Sequence, residues 1–265
     1  MISKLFALLV IFWGLIAMNL QAQITDTVEV KANPFYNEDW ISSNKIAVIT
    51  ISHRNSENIF KYDSSGRLIY QRQDFLIQDS LFYEQNRLSK IKSNNYGSFE
   101  DEVFEYDSIN RLVKIKKTSI SKKNERARLL TAEIKYNFKG QVVEIDHFDE
   151  SITSFEYLKD TVVATNQANF FGIKATSIHK TIYQDGLLKT VLYKLQDEEI
   201  KVAYQISYDD LKRVTIIDGM WQRHEFVYDE NGLIHMVKIQ NKSDFNRPFG
   251  DEFEFKVSYI FYNSN

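Results

Sequence analysis

The chain contains no cysteine, only two prolines and only nine glycines among its 265 residues. Without cysteine, neither a disulfide framework nor a lipid-attached N-terminal cysteine is available. The scarcity of proline and glycine, with no low-complexity tract, argues against a disordered chain or a long linker. The net charge of −3 is close to neutral, so it gives no electrostatic reason to expect nucleic acid or an acidic membrane surface as a partner.

Long apolar runs are also lacking, except at the N-terminus. Lys4 precedes the apolar run Leu5–Met18, which is short for a membrane span but has the length of a signal-peptide core. Ala22 then offers a small residue for cleavage. We therefore expect residues 1–22 to be a signal peptide. The protein would be exported to the periplasm, the cell surface or the medium, with no stable membrane span after cleavage. An uncleaved membrane anchor is the alternative.

A tyrosine followed by a turn recurs along the rest of the chain. The clearest copies are Phe60–Ile69, Phe104–Val113 and Phe226–Ile234. Self-similarity at a short period indicates an array of one supersecondary unit. Eight tyrosines anchor the series, and they are Tyr62, Tyr83, Tyr106, Tyr136, Tyr157, Tyr183, Tyr208 and Tyr228.

Each copy predicts a β-hairpin. Aromatic residues precede the turn and branched aliphatic residues follow it, as in half-buried strands. An aspartate at the first turn position can accept hydrogen bonds from the backbone, and a glycine or asparagine later in the turn tolerates a left-handed conformation. The residues with these repeat roles are Tyr62, Asp63, Gly66, Tyr106, Asp107, Asn110, Tyr136, Gly140, Tyr228, Asp229 and Gly232.

The strands alternate between apolar and polar residues, which predicts an antiparallel sheet with one buried face and one wet face. We expect an all-β fold, an antiparallel meander of about eight repeated hairpins in one strongly curved sheet. So many strands cannot remain flat, so the sheet would form a spiral ribbon or a partly closed barrel. Residues 23–57 would supply N-terminal strands that join the sheet, and residues 58–265 would form the repeat domain.

The repeat resembles that of the YD-repeat, or RHS-like, family of bacterial surface and toxin-shell proteins. The motif Tyr62-Asp63-Gly66-Arg67-Leu68 matches the family unit in full, and the copies at Tyr106 and Tyr228 match it nearly so. Large members of the family wind such hairpins into a hollow shell around a toxic C-terminal domain. The resemblance covers roughly residues 58 to 240. This chain has too few units for a large shell and ends in a strand, so we expect a short exported member without a toxin domain.

No constellation of residues predicts catalysis, a metal site or a cofactor. The five histidines lack the spacing of metal ligands, and no nucleophile elbow, P-loop or dinucleotide fingerprint is present. The acidic cluster Glu100–Glu102 is interpreted as solvated charge, although a pair of catalytic carboxylates is a weaker alternative.

One row of cations offers a binding hypothesis. Arg67, Arg87, Arg111 and Arg213 each follow a turn, so stacked hairpins would place them along one rim. The rim could contact an anionic glycan or another partner. The plainer interpretation pairs these arginines with Asp63, Glu84, Asp107 and Asp209 in exposed ion pairs of little energetic value.

These observations favour an exported, non-enzymatic protein that acts as a binding or structural scaffold at the cell envelope or outside the cell. Its partner would be a protein or a glycan of the envelope. A periplasmic carrier that encloses an apolar ligand is an alternative, and it should retain a cavity. An outer-membrane β-barrel fits the signal and the alternation but not the charge on many strands. An enzyme is the least supported function.

Overall fold

The computed structural model describes residues 34–54, 56–73, 77–95, 98–121, 124–148, 151–170, 173–220, 222–242 and 252–262. A 3₁₀ turn at Pro34–Tyr36 and a short helix, α1 (Glu38–Ser43), precede the strands. Neither is long and apolar enough to cross a membrane, and the described residues contain no other helix. The predicted signal peptide, residues 1–22, lies outside the described residues.

Eighteen strands follow in this part of the chain. They are β1 (Ile46–His53), β2 (Ser56–Tyr62), β3 (Leu68–Gln73), β4 (Ile77–Glu84), β5 (Arg87–Asn95), β6 (Ser98–Tyr106), β7 (Leu112–Ser121), β8 (Asn124–Tyr136), β9 (Val142–Asp146), β10 (Ile152–Tyr157), β11 (Thr161–Phe170), β12 (Ile173–Gln184), β13 (Leu187–Leu195), β14 (Lys201–Tyr208), β15 (Val214–Gly219), β16 (Gln222–Tyr228), β17 (Ile234–Asn241) and β18 (Glu252–Phe261).

The sheet is a closed antiparallel barrel. Each strand pairs with its neighbours in sequence, and β1 pairs with both β2 and β18. Ile51, for example, lies opposite Asn58 on one side and opposite Val257 on the other. Because the first and last strands are hydrogen-bonded to each other, neither is left as an open edge.

The prediction of an all-β antiparallel meander is confirmed, but the prediction of about eight hairpins in a spiral or partly closed sheet is wrong. The hairpins that carry the repeat account for β2 to β17. The two further strands, β1 and β18, are the ones that close the ring. Their pairing joins residues about 200 positions apart, as between Ile49 and Tyr259, and a local repeat contains no information about such a contact.

All eight tyrosine-containing turns lie at one end of the barrel, because every second connection of a meander returns to the same end. We call this end the turn end. A bulge accompanies several of these turns, as between Lys61 and Tyr62, where the register of β2 and β3 shifts. Residues opposite each other in register share one face of the sheet. The face that carries the buried side chains of Phe60, Ile115 and Ile234 is the interior of the barrel.

The outer face of the barrel is polar over many strands. Lys114 Nζ lies 2.8 Å from Glu133 Oε1 across β7 and β8, and Lys135 Nζ lies 2.6 Å from Glu144 Oε1 across β8 and β9. Further outward ion pairs join Glu57 with Arg72, Asp101 with Lys90, and Glu105 with Lys116. Such cross-strand pairs are typical of a sheet face that contacts water.

The segment before β1 fills the turn end of the interior. Phe35 lies between the rings of Phe60 and Phe226, at centroid distances of 6.1 and 6.2 Å. Its carbonyl oxygen accepts a 2.8 Å hydrogen bond from the Tyr62 hydroxyl, and Ile41 of α1 is fully buried. The apolar contacts of this segment therefore anchor α1 across the strands that close the barrel.

Candidate binding cleft at the turn end

The turns share one hydrogen-bonding arrangement that follows from the aspartate. Asp63 Oδ1 accepts hydrogen bonds from the backbone N–H groups of Ser65 and Arg67, at 2.9 and 3.1 Å, while its Oδ2 accepts from Arg67 Nε at 2.7 Å. The same bonds form at Asp107 and Asp209. The backbone N–H of Arg111 holds the pKa of the Asp107 carboxyl below its usual range.

The turns also share a left-handed residue. Gly66, Asn110, Gly140 and Gly232 have φ angles of 83°, 69°, 78° and 79°. The corresponding position of the turn between β14 and β15 is occupied by Lys212, with a φ of 61°. A lysine is strained in this region, which favours glycine or asparagine.

Five of the eight repeat tyrosines, and Tyr259 of β18, tie their strands to the hairpin before them, whereas Tyr62 bonds the Phe35 carbonyl oxygen. The Tyr106 hydroxyl, for example, donates a 2.8 Å hydrogen bond to the carbonyl oxygen of Leu88. The equivalent bonds run from Tyr83 to Leu68, Tyr136 to Leu112, Tyr208 to Leu188, Tyr228 to Val214 and Tyr259 to Ile234. The hydroxyl groups are therefore used as donors within the barrel wall, while the ring faces stay available for stacking.

The four arginines of the predicted rim do lie at the turn end, and each contacts its neighbours within the protein. Each guanidinium carbon lies 4.4–5.0 Å from the ring centroid of the next tyrosine in the series. Arg67, Arg111 and Arg213 also pair with the aspartates of their own turns. Arg87 instead donates to Gln85 Oε1 and Asn110 Oδ1, each at 2.7 Å. Contact of this rim with an anionic partner stays a prediction.

A cleft of about 420 Å³ opens at the turn end, between α1 and the turns that follow β12, β14 and β16. Its volume lies in the range of small-molecule sites. The residues that give it chemical character are four aromatic residues and two cations, namely Trp40, Tyr183, Tyr208, Tyr228, Lys212 and Arg213.

Two asparagine side chains, one before and one after Trp40 in the sequence, hydrogen-bond to its backbone. Asn37 caps α1 by accepting a 2.9 Å hydrogen bond from the Trp40 backbone N–H, and the Asn44 side chain donates a 2.8 Å bond to the Trp40 carbonyl oxygen. The indole ring packs edge-on against Tyr259, at a centroid distance of 6.4 Å. The cleft wall formed by Trp40 is therefore fixed before any ligand arrives.

The charges of the cleft are positive. Arg213 is neutralised in part by Asp209, because its Nη2 lies 2.7 Å from Asp209 Oδ2. Lys212 is exposed, and no ion pair engages it within the described part of the chain. Burial raises the pKa of Tyr208 and of Tyr228 to about 12, so both phenols are neutral at physiological pH.

A second polar region lines the interior on β3 to β7. Gln71 Nε2 donates a 2.6 Å hydrogen bond to Asp79 Oδ2, and Lys117 Nζ lies 2.7 Å from Glu100 and 3.4 Å from Glu102. Burial raises the pKa of both Asp79 and Glu102. The interpretation of Glu100–Glu102 as solvated charge is wrong for Glu102, which is 7% exposed. Its position two residues before the buried Phe104 was the available signal.

Among the described residues, no three histidine, aspartate or glutamate side chains converge as metal ligands.

No protein-family model and no curated protein sequence matches the chain. The solved structures that it resembles include the crystal structure of a porin-like protein from Bacteroides uniformis ATCC 8492. The match covers 82% of this chain and 98% of that chain, with 10% sequence identity and a TM-score of 0.36. A likeness at this TM-score carries no argument about function, so the barrel and its cleft are interpreted from their own geometry.

Proposed function

We propose that this chain is an exported binding protein that holds a small ligand in the cleft at the turn end, without catalysing its conversion. The cleft itself carries the proposal. It combines the volume of a small-molecule site, an aromatic wall fixed by hydrogen bonds, and a cation that no described acidic side chain neutralises. A packed scaffold would have no need of such a space.

The closed barrel suits this role because it provides a rigid frame. The three tyrosine rings of the cleft belong to β12, β14 and β16, and each strand is hydrogen-bonded on both sides. Rigid surroundings lower the entropy lost on binding, because the side chains are already ordered. The cleft would therefore bind its ligand with little rearrangement of the frame.

The predicted compartment is the periplasm, the cell surface or the medium, because the N-terminal segment has the features of an export signal. A polar outer face is compatible with a protein that leaves the membrane after signal removal. Lys114 and Glu133, or Lys135 and Glu144, would otherwise place ion pairs against lipid.

An outer-membrane barrel is the second candidate, and the closure of the eighteen strands favours it over an open scaffold. Barrels of this class have even strand numbers and no open edges. They also carry an outward apolar band, whereas here the outer face between β2 and β9 carries cross-strand ion pairs beside exposed apolar side chains such as Phe82 and Leu129. On these grounds we prefer the binding protein.

The decisive experiment expresses the full chain in a Gram-negative host and separates soluble periplasmic material from washed membranes. The binding protein should appear in the soluble fraction, and native mass spectrometry should detect a bound small molecule. In the variant Trp40→Ala this bound mass should be lost. The matched variant Phe82→Ala removes an exposed aromatic side chain from the outer face and should retain it. Recovery only from detergent-extracted membranes would instead support the outer-membrane barrel.

The arginine rim is a subsidiary part of the proposal. Arg67, Arg87, Arg111 and Arg213 retain N–H groups beyond those bound to the turns, so a large anionic partner could still contact them at the barrel mouth. Changing Arg67, Arg87 and Arg111 to glutamine, while keeping Arg213 because it also lines the cleft, should weaken such capture and reduce its salt dependence. If the variant captures the anionic partner as well as the wild type does, the rim is not the binding site and the cleft remains the proposed one.

A further inference from the structure

The aromatic rings of the cleft present faces rather than hydroxyl groups. The hydroxyls of Tyr208 and Tyr228 are already bonded to the carbonyl oxygens of Leu188 and Val214, each at 2.8 Å. One face of each of these two rings is occupied by a cation, because the Arg213 guanidinium carbon lies 4.4 Å from the Tyr228 centroid and Lys189 Nζ lies 5.2 Å from the Tyr208 centroid. An aromatic ring also offers an electron-rich surface to a ligand with a flat face of C–H groups. A pyranose sugar has such a face, and aromatic platforms also bind organic cations.

Charge distinguishes these two ligand classes. A quaternary ammonium ligand prefers aromatic walls without competing cations, whereas this cleft contains Lys212 and Arg213. The Lys212 ammonium has no ion pair within the described residues. A ligand with a negative group would supply the missing partner, and a cationic ligand would be repelled.

The backbone at Lys212 supports the same conclusion. Lys212 occupies the turn position that glycine or asparagine fills in four other repeats, and its φ of 61° is unfavourable for a lysine. Non-glycine residues with positive φ also occur in two other shorter repeat turns, at Gln85–Asn86 and at Asp185, and of these residues Lys212 is the one that lines the cleft. Here that side chain stands at the edge of the aromatic cleft.

From this geometry, and resting on the proposed binding function, we infer that the cleft takes an acidic saccharide. One sugar ring lies against the face of Trp40, and its carboxylate pairs with the Lys212 ammonium. The Asn37 side chain uses its Oδ1 to cap α1, and its amide N–H groups are the available donors for a ring hydroxyl.

Tryptophan fluorescence provides a direct measurement. The chain has three tryptophans, Trp13, Trp40 and Trp221. In a protein without residues 1–22 that carries Trp221→Phe, Trp40 is the one remaining indole, so any change in emission reports on the cleft. The probe is α-1,4-linked digalacturonate, and the matched neutral probe is its dimethyl ester, in which a methyl group on each carboxyl removes the negative charge.

We expect digalacturonate to shift the Trp40 emission in a saturable manner and to bind at least tenfold more tightly than the ester. Lys212→Asn keeps a residue that tolerates the left-handed turn. It should weaken digalacturonate binding about tenfold and leave the ester unchanged. Lys139→Asn removes a charge from a different turn and should have no effect. Lys212→Gly should raise the midpoint of thermal unfolding while weakening digalacturonate binding, which separates binding from folding.

Three outcomes would overturn the inference. Equal binding of digalacturonate and its ester would remove the charge requirement. Tight binding of benzoate without binding of digalacturonate would identify an aromatic carboxylate rather than a sugar. No response to either saccharide would exclude the sugar class. None of these outcomes alone defeats the proposed binding function. That function fails if the protein from its native compartment carries no bound small molecule that Trp40→Ala removes.

Discussion

The guanidinium carbon of Arg67 lies 4.8 Å from the ring centroid of Tyr83, the tyrosine of the following repeat. The same contact recurs at Arg87 with Tyr106 and at Arg111 with Tyr136, at 5.0 and 4.6 Å. Each arginine thus joins its own turn to the next, so the repeat stabilises the barrel between hairpins as well as within them. The tyrosine and arginine of the motif are partners in neighbouring copies.

A double-mutant cycle on Arg111 and Tyr136 should detect this coupling. Arg111→Gln removes the cation, Tyr136→Leu removes the ring, and the interaction energy from chemical unfolding should be about 0.5–1 kcal/mol. The control cycle combines Arg72→Gln with Tyr136→Leu. Arg72 pairs with Glu57 on the outer face, so its effect should add to that of Tyr136→Leu within about 0.5 kcal/mol. Additivity in both cycles would contradict the stacking.

The two turn glycines Gly66 and Gly140 have similar φ angles but different surroundings, so they predict different costs of substitution. A Cβ at Gly66 would clash with the carbonyl oxygen of Glu38, whereas a Cβ at Gly140 would have no other heavy atom within 4 Å. Gly140→Ala should cost about 1 kcal/mol of unfolding free energy from the strained φ alone. Gly66→Ala should cost about 3 kcal/mol or more, because α1 must also move. Equal costs would mean that α1 does not pack on this turn.

Much of the local structure could be predicted from the sequence because it depends on neighbouring residues. The aspartate and the glycine of each turn lie within one hairpin, so their spacing is visible in the chain. Closure could not be predicted in this way, since the contact of Ile51 with Val257 joins distant strands. The periodicity that identifies a strand is the same in an open sheet and in a closed barrel.

The cleft was missed for a related reason. Trp40 belongs to the segment before the first repeat, and only the closed barrel brings it beside Tyr208 and Tyr228. One signal was nevertheless present in the sequence. The turn after Tyr208 has a lysine where the other well-preserved copies have glycine or asparagine. A departure from a repeat at a position with a backbone requirement is a useful pointer to a functional residue.

Asp79 should make stability fall as pH rises. Burial raises the pKa of its carboxyl above the ordinary value of 3.8, so the folded state binds the proton more tightly than the unfolded state. The carboxyl's stabilising contribution is complete below the ordinary value and is lost as pH rises through the folded pKa. Asp79→Asn lacks this loss, so its stability relative to the wild type should increase from pH 4 to pH 7.

The matched control for Asp79→Asn is Asp107→Asn. The pKa of the Asp107 carboxyl is lowered by the hydrogen bonds of its turn, chiefly the one from the backbone N–H of Arg111. Its contribution is present above the ordinary value and is lost as pH falls, so the relative stability of this variant should change with pH in the opposite sense. Chemical unfolding at a series of pH values gives both comparisons. The same sign for both variants would contradict the buried environment of Asp79.

His224 should make stability fall as pH decreases. It lies opposite Ile217 and Ile239 in the strand register, and burial lowers its pKa from 6.5 to about 4. The unfolded chain takes up a proton near pH 6.5, but the folded protein does so only near pH 4. The stabilising contribution of the neutral imidazole is therefore complete above pH 6.5 and is lost as pH falls through that window.

Replacing His224 with leucine should flatten the pH dependence of the unfolding free energy between pH 6.5 and pH 4. A residual slope should remain from His179, whose pKa is also lowered by burial, and it should diminish in the double variant. Phe82→Ala alters an exposed side chain that does not ionise and should leave the wild-type slope intact. NMR titration of the imidazole signals gives an independent measurement, in which the His224 resonance should not move until the pH approaches 4. A slope unchanged by His224→Leu would place this imidazole in contact with water rather than inside the barrel.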